Sequence, residues 1–422
     1  MSGPALGEPT ATPKVVAYAA LTGIGLLGAV VFGEVTIVGL AAPFAFALVF
    51  GLLSPVPPLP KVRIEVDERR VLEGGRVVVA VEMSVPGPVP QCNISLSIPR
   101  GLRAERATDW SLRLEPDSPA LIEVSITADR YGRFVIGPVA VSVPGRFGLL
   151  ARFGTCGEAV ELEVRPNPEP IRTVARAAKV RATAGDRLAR QPGDGIEFAE
   201  LRPYTPGTPG RINWRVTARR CAPYVNLRHP ERSTDLILLV DTFSAALLPR
   251  QVRAAAGLGA AALARHDRVG LVGFGGVLSW VDPGVGQVQL ERLVAALTAT
   301  KWHHSYAWKS AETIPSRTLP PNGLVIAISP LDDPRMLTAL ARIRARGVDL
   351  AVIETIGAPP KKALSAAGHL AARLIELERI ETRDNLSHRG VPVIAWQEGE
   401  SLETALGALV TWRRRARGRV VR

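Results

Sequence analysis

A chain of 422 residues is too long for a single hydrophobic core and predicts two or three domains, each able to bury its own interior. Hydrophobic residues make up 47% of it and its mean hydropathy is +0.14, values that call for a membrane part attached to a globular one. The net charge of +13 points to nucleic acid, an anionic membrane surface or an acidic partner. Three scattered cysteines, Cys92, Cys156 and Cys221, form no C-x-x-C pair, so neither a disulfide framework nor a zinc site is indicated and the thiols read as reduced and structural.

After a short tail, residues 1–14, the runs 15–33 and 35–53 contain no charged side chain, and each is close to the roughly 20 residues that cross a bilayer as a helix. Glu34 alone separates them, so a helical hairpin turning at Gly33-Glu34 is expected. Lys14 flanks the first span, while Lys61, Arg63, Arg69 and Arg70 follow the second, and the positive-inside rule places both ends in the cytoplasm, with the protein in the cell membrane. A secretory signal peptide fits less well, because its charged region would be Lys14 alone and no A-x-A cleavage site follows. The proline-rich stretch SPVPPLP, 54–60, cannot continue a helix and reads as an extended spacer holding the globular part off the membrane.

Residues 61–165 change texture. Short alternating runs at 77–81, 93–98 and 121–126, punctuated by Gly and Pro, predict a small β-sandwich-like domain. Within it, 130–153 reads as two strands around Gly137-Pro138 and a turn at Pro144-Gly145, with a structural role expected.

The next segment, 166–234, holds the densest block of the chain, GDGIEFAELRPYTPGTPGRINWRVTARR. Phe198, Tyr204 and Trp214 gain from burial, and Glu197, Arg202 and Arg211 would then have to be paired. Two readings stay open: a buried network bracing the sheet against the β domain, or a docking surface for a partner. From 235 to 422, buried strands at 236–240, 269–274, 277–281, 324–329, 350–354 and 391–396 alternate with helices at 250–265, 288–297, 334–346, 362–379 and 402–417. This alternation predicts a doubly wound α/β domain with a mostly parallel sheet, in which Asp241 and Asp332-Asp333 converge on the carboxyl edge where ligands bind.

The block Glu197-Phe198, Leu201-Arg202, Tyr204, Pro206-Gly207, Arg211-Ile212-Asn213-Trp214 and Ala218-Arg219, with a strand leading into Asp241, resembles the bacterial family catalogued as domain of unknown function 58. Residues 130–149, similar to that family's turn before its "GL" signature, residues 267–271, the closing strand 391–396 and the double transmembrane hairpin support the resemblance. It implies a von Willebrand factor A-like domain with partners among MoxR-type AAA+ ATPases. It also implies a place for Mg²⁺, which such domains hold through Asp-x-Ser-x-Ser, a set of hard oxygens. Here the motif is Asp241-Thr242-Phe243-Ser244-Ala245, in which Phe243 and Ala245 replace both serines and Ser244 is one position out of register. Asp241, Ser244 and Asp332 remain as candidate ligands, with Thr298, Thr300 or Ser305 from the third loop. A degenerate site kept for the fold, with no cofactor, is the preferred expectation. Thr208 stands where the family has an acidic residue after Pro-Gly.

Other motifs are silent or ambiguous. Gly257-Leu258-Gly259 mimics a dinucleotide fingerprint but lies inside a predicted helix. His303-His304 lack a metal-binding companion, and neither a P-loop nor G-x-S-x-G is present. The cluster Arg413-Arg414-Arg415, Arg417, Arg419 and Arg422 suits lipid or nucleic-acid phosphate, or a solvated helix end. The expected protein is therefore a non-enzymatic, membrane-anchored interaction protein that engages a protein partner at the Asp241/Asp332 edge. Its rivals are a metal-assisted hydrolase using the same acids and a basic protein binding a membrane surface or, less favoured, nucleic acid.

Overall fold

The computed structural model describes residues 7–116, 118–171, 193–205, 211–228, 235–302, 318–320, 323–358 and 365–407, without the side chains of 193–200, 202, 211 and 366. The chain forms two compact units, Met1–Arg165 and Pro166–Arg422.

The first unit begins with the hairpin. Helix α1 (Pro13–Phe32) starts with proline, whose missing N–H costs nothing at a helix start, and ends at Gly33 in the left-handed conformation, φ 64°. Helix α2 (Val35–Leu53) follows at once, so the turn falls on Gly33-Glu34 as the charge pattern predicts. The two helices are long and apolar enough to cross a membrane. They approach closely where small residues face each other: a Cβ on Gly25 would stand 2.6 Å from that of Ala41. Tyr18 and Phe44 pack edge to face nearby, ring centroids 5.6 Å apart.

In the tail, Pro9–Ala11 is a strand pairing antiparallel with Leu150–Cys156, Thr10 opposite Ala151. The expectation that the proline-rich stretch is a stand-off spacer is corrected. Val56 and Pro60 are buried, a Cβ on Gly154 would stand 2.6 Å from Leu59, and the Arg152 guanidinium donates to the carbonyls of Val56 and Gly7. Proline fixed the extended form, and apolar side chains between the prolines found a surface to cover.

The β domain comprises a five-stranded sheet that includes Pro9–Ala11, a four-stranded sheet and a three-stranded sheet. In Arg76–Ser84 every second side chain, Val77, Val79, Val81 and Met83, enters the core, the period-2 pattern read from sequence. Ile94, Ile126, Val141 and Leu162 meet them there.

In the second unit, Gly193–Pro203, Arg211–Ile212 and Tyr224–Arg228 make a small antiparallel sheet, with helix α3 (Trp214–Arg220) inserted between its last two strands. A six-stranded sheet follows. Its strands are β1 (Asp235–Asp241), β2 (Arg268–Phe274), β3 (Ser279–Gly284), β4 (Leu324–Ser329), β5 (Asp349–Thr355) and β6 (Val393–Trp396). Their order is 3-2-1-4-5-6, with only β3 antiparallel to its neighbour. Helices α4 (Leu248–Leu263) and α5 (Gly286–Ala299) cover the face carrying Leu238, while α6 (Pro334–Ala345) packs on the face of Ile237 and Leu239. Helix α7 (Ala366–His388) sends Leu386 into that second core. It starts later and runs longer than the expected 362–379, and the last expected helix is described only to residue 407.

The Gly257/Gly259 pair lies inside α4, as its position in a helical pattern implied. Gly259 lies against Leu238, and Gly257 accommodates main chain, since a Cβ there would stand 2.3 Å from the Glu169 carbonyl oxygen. Residues 166–171 thus pass directly over this helix, tied by Glu169 N–H donating to the Arg253 carbonyl at 3.1 Å.

Candidate functional site

The strand order reverses between β1 and β4, and parallel strands leave a crevice at their carboxyl ends at such a point. Asp241 closes β1 there. Its side chain is 0% exposed. One carboxylate oxygen accepts the Ser329 hydroxyl at 2.6 Å and the other accepts the Phe243 N–H at 2.8 Å. Ser329 Oγ in turn accepts the Leu331 N–H at 2.9 Å. These bonds tie the end of β1 to the end of β4. Burial pushes the Asp241 carboxyl up to about 6, the two hydrogen bonds pull the other way, and Asp333 and Asp332 add to the rise. The three acids do converge, as their positions after strands predicted.

Phe243 fills the space above this tie. Its ring meets Phe274 edge to face at 5.6 Å, carries the Arg335 guanidinium 4.2 Å from its centre, and its carbonyl accepts the Trp302 indole N–H at 3.1 Å. Arg335 also grips Asp333 at 2.7 Å and holds its carboxyl below the usual carboxylate range, while Asp333 caps α6 by accepting the Arg335 N–H. Asp332 pairs with Arg379 at 3.5 Å.

This donor set does not fit Mg²⁺. Both oxygens of Asp241 are committed to protein donors, Asp332 is paired with a cation, and an aromatic ring occupies the position where the motif would supply a hydroxyl. Ser244 is half-buried. Thr298 and Thr300 donate to their own helix, at the Val294 and Ala296 carbonyls, and Ser305 lies outside the described residues. Among the described residues no group of three or more His, Cys, Asp or Glu side chains gathers as a metal would need.

A fourth acid escaped the sequence reading. Glu354 stands opposite Ser329 across β4 and β5, so Asp241, Ser329 and Glu354 form one row along the sheet edge. It is 1% exposed and pairs with Arg383 at 2.9 Å. Burial raises its pKa, and Arg383 and Arg379 oppose that rise. The signal was present: an apolar strand ending in a carboxylate, Leu350 to Glu354, repeats the pattern of Leu236 to Asp241. Beside this row opens a cavity of about 590 Å³ lined by Leu331, Asp332, Leu337, Glu354, Ile375 and Glu378 among others. Helix α7 flanks it and leaves Leu370, Leu374, Ile375, Leu377 and Ile380 exposed.

The dense block is a built element, but the expected burial of its aromatic residues is corrected where it is described. Tyr204 is 43% and Trp214 72% exposed. Asn213 is the residue that organises it: its side-chain oxygen caps α3 by accepting the Val216 N–H at 3.2 Å, and its amide donates to Asn226 at 2.9 Å. Arg219 is exposed on α3. Glu197, Phe198 and Arg202 lie in the strand Gly193–Pro203 and Arg211 opens the short strand after it; their side chains fall outside the description. So do His303, His304, Thr208 and the C-terminal arginines.

Residues 200–386 match the family described as protein of unknown function DUF58. A search of curated proteins gives no match. Among solved structures, E. coli alpha-2-macroglobulin shares 15% identity over 26% of this chain and 8% of its own, with a TM-score of 0.20. A cohesin from the archaeon Archaeoglobus fulgidus shares 12% over 25% of this chain and 91% of its own, TM-score 0.19. A CARDB domain from Pyrococcus furiosus shares 11% over 27% of this chain and 95% of its own, TM-score 0.18. Scores this low carry no argument about fold or activity.

Proposed function

We propose that this chain, carrying a segment that matches the DUF58 family, is a membrane-anchored scaffold that engages a protein partner at the carboxyl edge of its six-stranded sheet. One observation carries the reading: beside the Asp332/Glu354 cavity, α7 leaves five large apolar side chains in solvent. Exposed apolar side chains next to a cleft with paired charges suit a protein, which covers area, more than a small reactant, which needs free polar groups. Asp241 is spent on tying two strands together, so the metal-assisted hydrolase is not carried forward.

In this reading the sheet is a von Willebrand factor A-like domain, and the partner is an AAA+ ATPase of the MoxR type, as the family resemblance implies. The hairpin anchors the chain with both ends in the cytoplasm, on the side marked by Lys14, Lys61 and Arg63. Crosslinking in native membranes followed by mass spectrometry tests this. One AAA+ protein should be captured reproducibly, and Leu370→Glu with Leu374→Glu should abolish capture while the purified protein keeps its far-ultraviolet spectrum. Capture that survives the double substitution would remove α7 from the interface, and reproducible capture of no AAA+ protein would end the assignment of the partner.

A further inference from the structure

The loop Arg146-Phe147-Gly148-Leu149 sits against the base of the hairpin. A Cβ on Gly51 in α2 would stand 2.6 Å from the Leu149 side chain and 3.3 Å from the Arg146 carbonyl oxygen, so the loop packs closely on the helix. The Arg146 guanidinium lies over the Phe50 ring, 5.5 Å from its centre. At the start of α1, Thr12 donates from its N–H to the Leu149 carbonyl at 2.8 Å and from its hydroxyl to the Gly148 carbonyl at 2.6 Å. The Lys14 side chain runs along Gly148.

The lengths of the helices decide where this loop must be. Helices of 20 and 19 residues rise about 30 Å and 28 Å, no more than the hydrocarbon thickness of a bilayer. Phe50 and Gly51 lie within the last turn of α2, so a loop packed on them stands at the boundary between acyl chains and headgroups. The strand Pro9–Ala11 and the packed proline stretch leave the β domain no slack to move away.

What the loop exposes fits that boundary. Phe147 is 45% exposed although it is a large apolar residue, and it is held at φ 59°, a left-handed conformation that non-glycine residues rarely adopt. Arg146 and Lys14 are exposed, and among the described residues neither pairs with a carboxylate. Lys14 does not serve its own helix, since a cation in the first turn opposes the helix dipole. An exposed aromatic side chain in a loop that also presents Arg146 and touches Lys14, at the end of a membrane span, is suited to sit among phospholipid headgroups, the ring in the acyl boundary and the cations on phosphodiesters.

We propose that Lys14, Arg146 and Phe147 form a seat for anionic phospholipid, by which the β domain itself, and not only the hairpin, contacts the membrane. This rests on the hairpin spanning a bilayer.

The full chain is reconstituted in nanodiscs of equal parts phosphatidylglycerol and phosphatidylcholine, and the lipid retained by the protein is measured by native mass spectrometry. Phosphatidylglycerol should be enriched. Lys14→Gln and Arg146→Gln should each lower that enrichment roughly fivefold, while Lys14→Arg and Arg146→Lys keep it and added inorganic phosphate does not displace the lipid. Benzoylphenylalanine placed at Phe147 should capture phospholipid on irradiation. An unchanged lipid ratio in the double Gln variant, displacement by phosphate, or absence of a lipid adduct at 147 would each overturn the proposal. Release of the protein by alkaline washing of native membranes would overturn the spanning hairpin as well, whereas retention with an unchanged lipid ratio would overturn the seat alone.

Discussion

At Asp241, burial and hydrogen bonding act on one carboxyl group in opposite directions. Burial prevails, and the folded pKa of about 6 lies above the ordinary 3.8. Between these values the native state keeps a proton that the unfolded chain has released, so stability falls as pH rises from about 4 to about 6 and stays lower above it, by roughly 3 kcal/mol. Asp241→Asn should flatten that slope; urea melts of both proteins at pH 4 and pH 7 measure it, and an unchanged difference between the two pH values would refute the account. Asp241→Ala should cost roughly 2–3 kcal/mol at pH 7, because the Phe243 N–H and Ser329 hydroxyl lose their acceptor in the interior, and roughly 2–3 kcal/mol more at pH 4, because the variant also loses the stability that the retained proton gives the wild type there. Arg250 is a second residue with several duties. Its guanidinium lies 3.7 Å from the centre of the Trp396 ring and donates to the Ile356 carbonyl at 2.6 Å and to that of Gln397. Arg250→Ala should destabilise by roughly 2–4 kcal/mol in chemical denaturation, and Arg250→Lys should recover only part, since one ammonium cannot reach both carbonyls and the ring.

Among the elements, the hairpin makes the sharpest comparison between two glycines of one helix. Gly25 faces Ala41 with no space for a Cβ, whereas Gly23 has nothing within 4 Å. Gly25→Leu should therefore part the helices and Gly23→Leu should not. Disulfide yield between Tyr18→Cys and Phe44→Cys, whose native rings are 5.6 Å apart, reports the separation in membranes; equal yields in both backgrounds would remove close packing as the reason for Gly25. For α7, amphipathic periodicity located the helix but not its surroundings. At 3.6 residues per turn Leu386 lies about 160° around the helix from Leu370, so the exposed leucines and the buried one mark opposite sides, and only the packing against the sheet shows which side is covered.

On the scale of the whole molecule, the β domain and the six-stranded sheet each bury a separate core. Val79→Ala in the first and Leu239→Ala in the second should each lower one calorimetric transition, by roughly 2–4 kcal/mol, and leave the other in place. A single transition shifted by both substitutions would show that the units unfold together.

Periodicity and charge, which are local, determined much of this protein without any structure. The charge-free runs and Glu34 determined the hairpin and its turn, alternation determined the β domain, and strand–helix repetition determined the doubly wound sheet with Asp241 and Asp332 at one edge. What each group touches is set by residues far away in sequence, and the tertiary structure alone decided that. Asp241 is legible in the sequence as an acid at the sheet edge and a candidate ligand of a degenerate motif, but not as the partner of Ser329, 88 positions later, which takes one of its oxygens. Trp214 reads as buried because its ring gains from burial, yet Asn213 caps the helix behind it and leaves that ring in solvent. The proline stretch reads as a spacer until Arg152 and Gly154 give it a surface to lie on. Local physics decides which elements form; long-range packing decides which of their groups remain free to act.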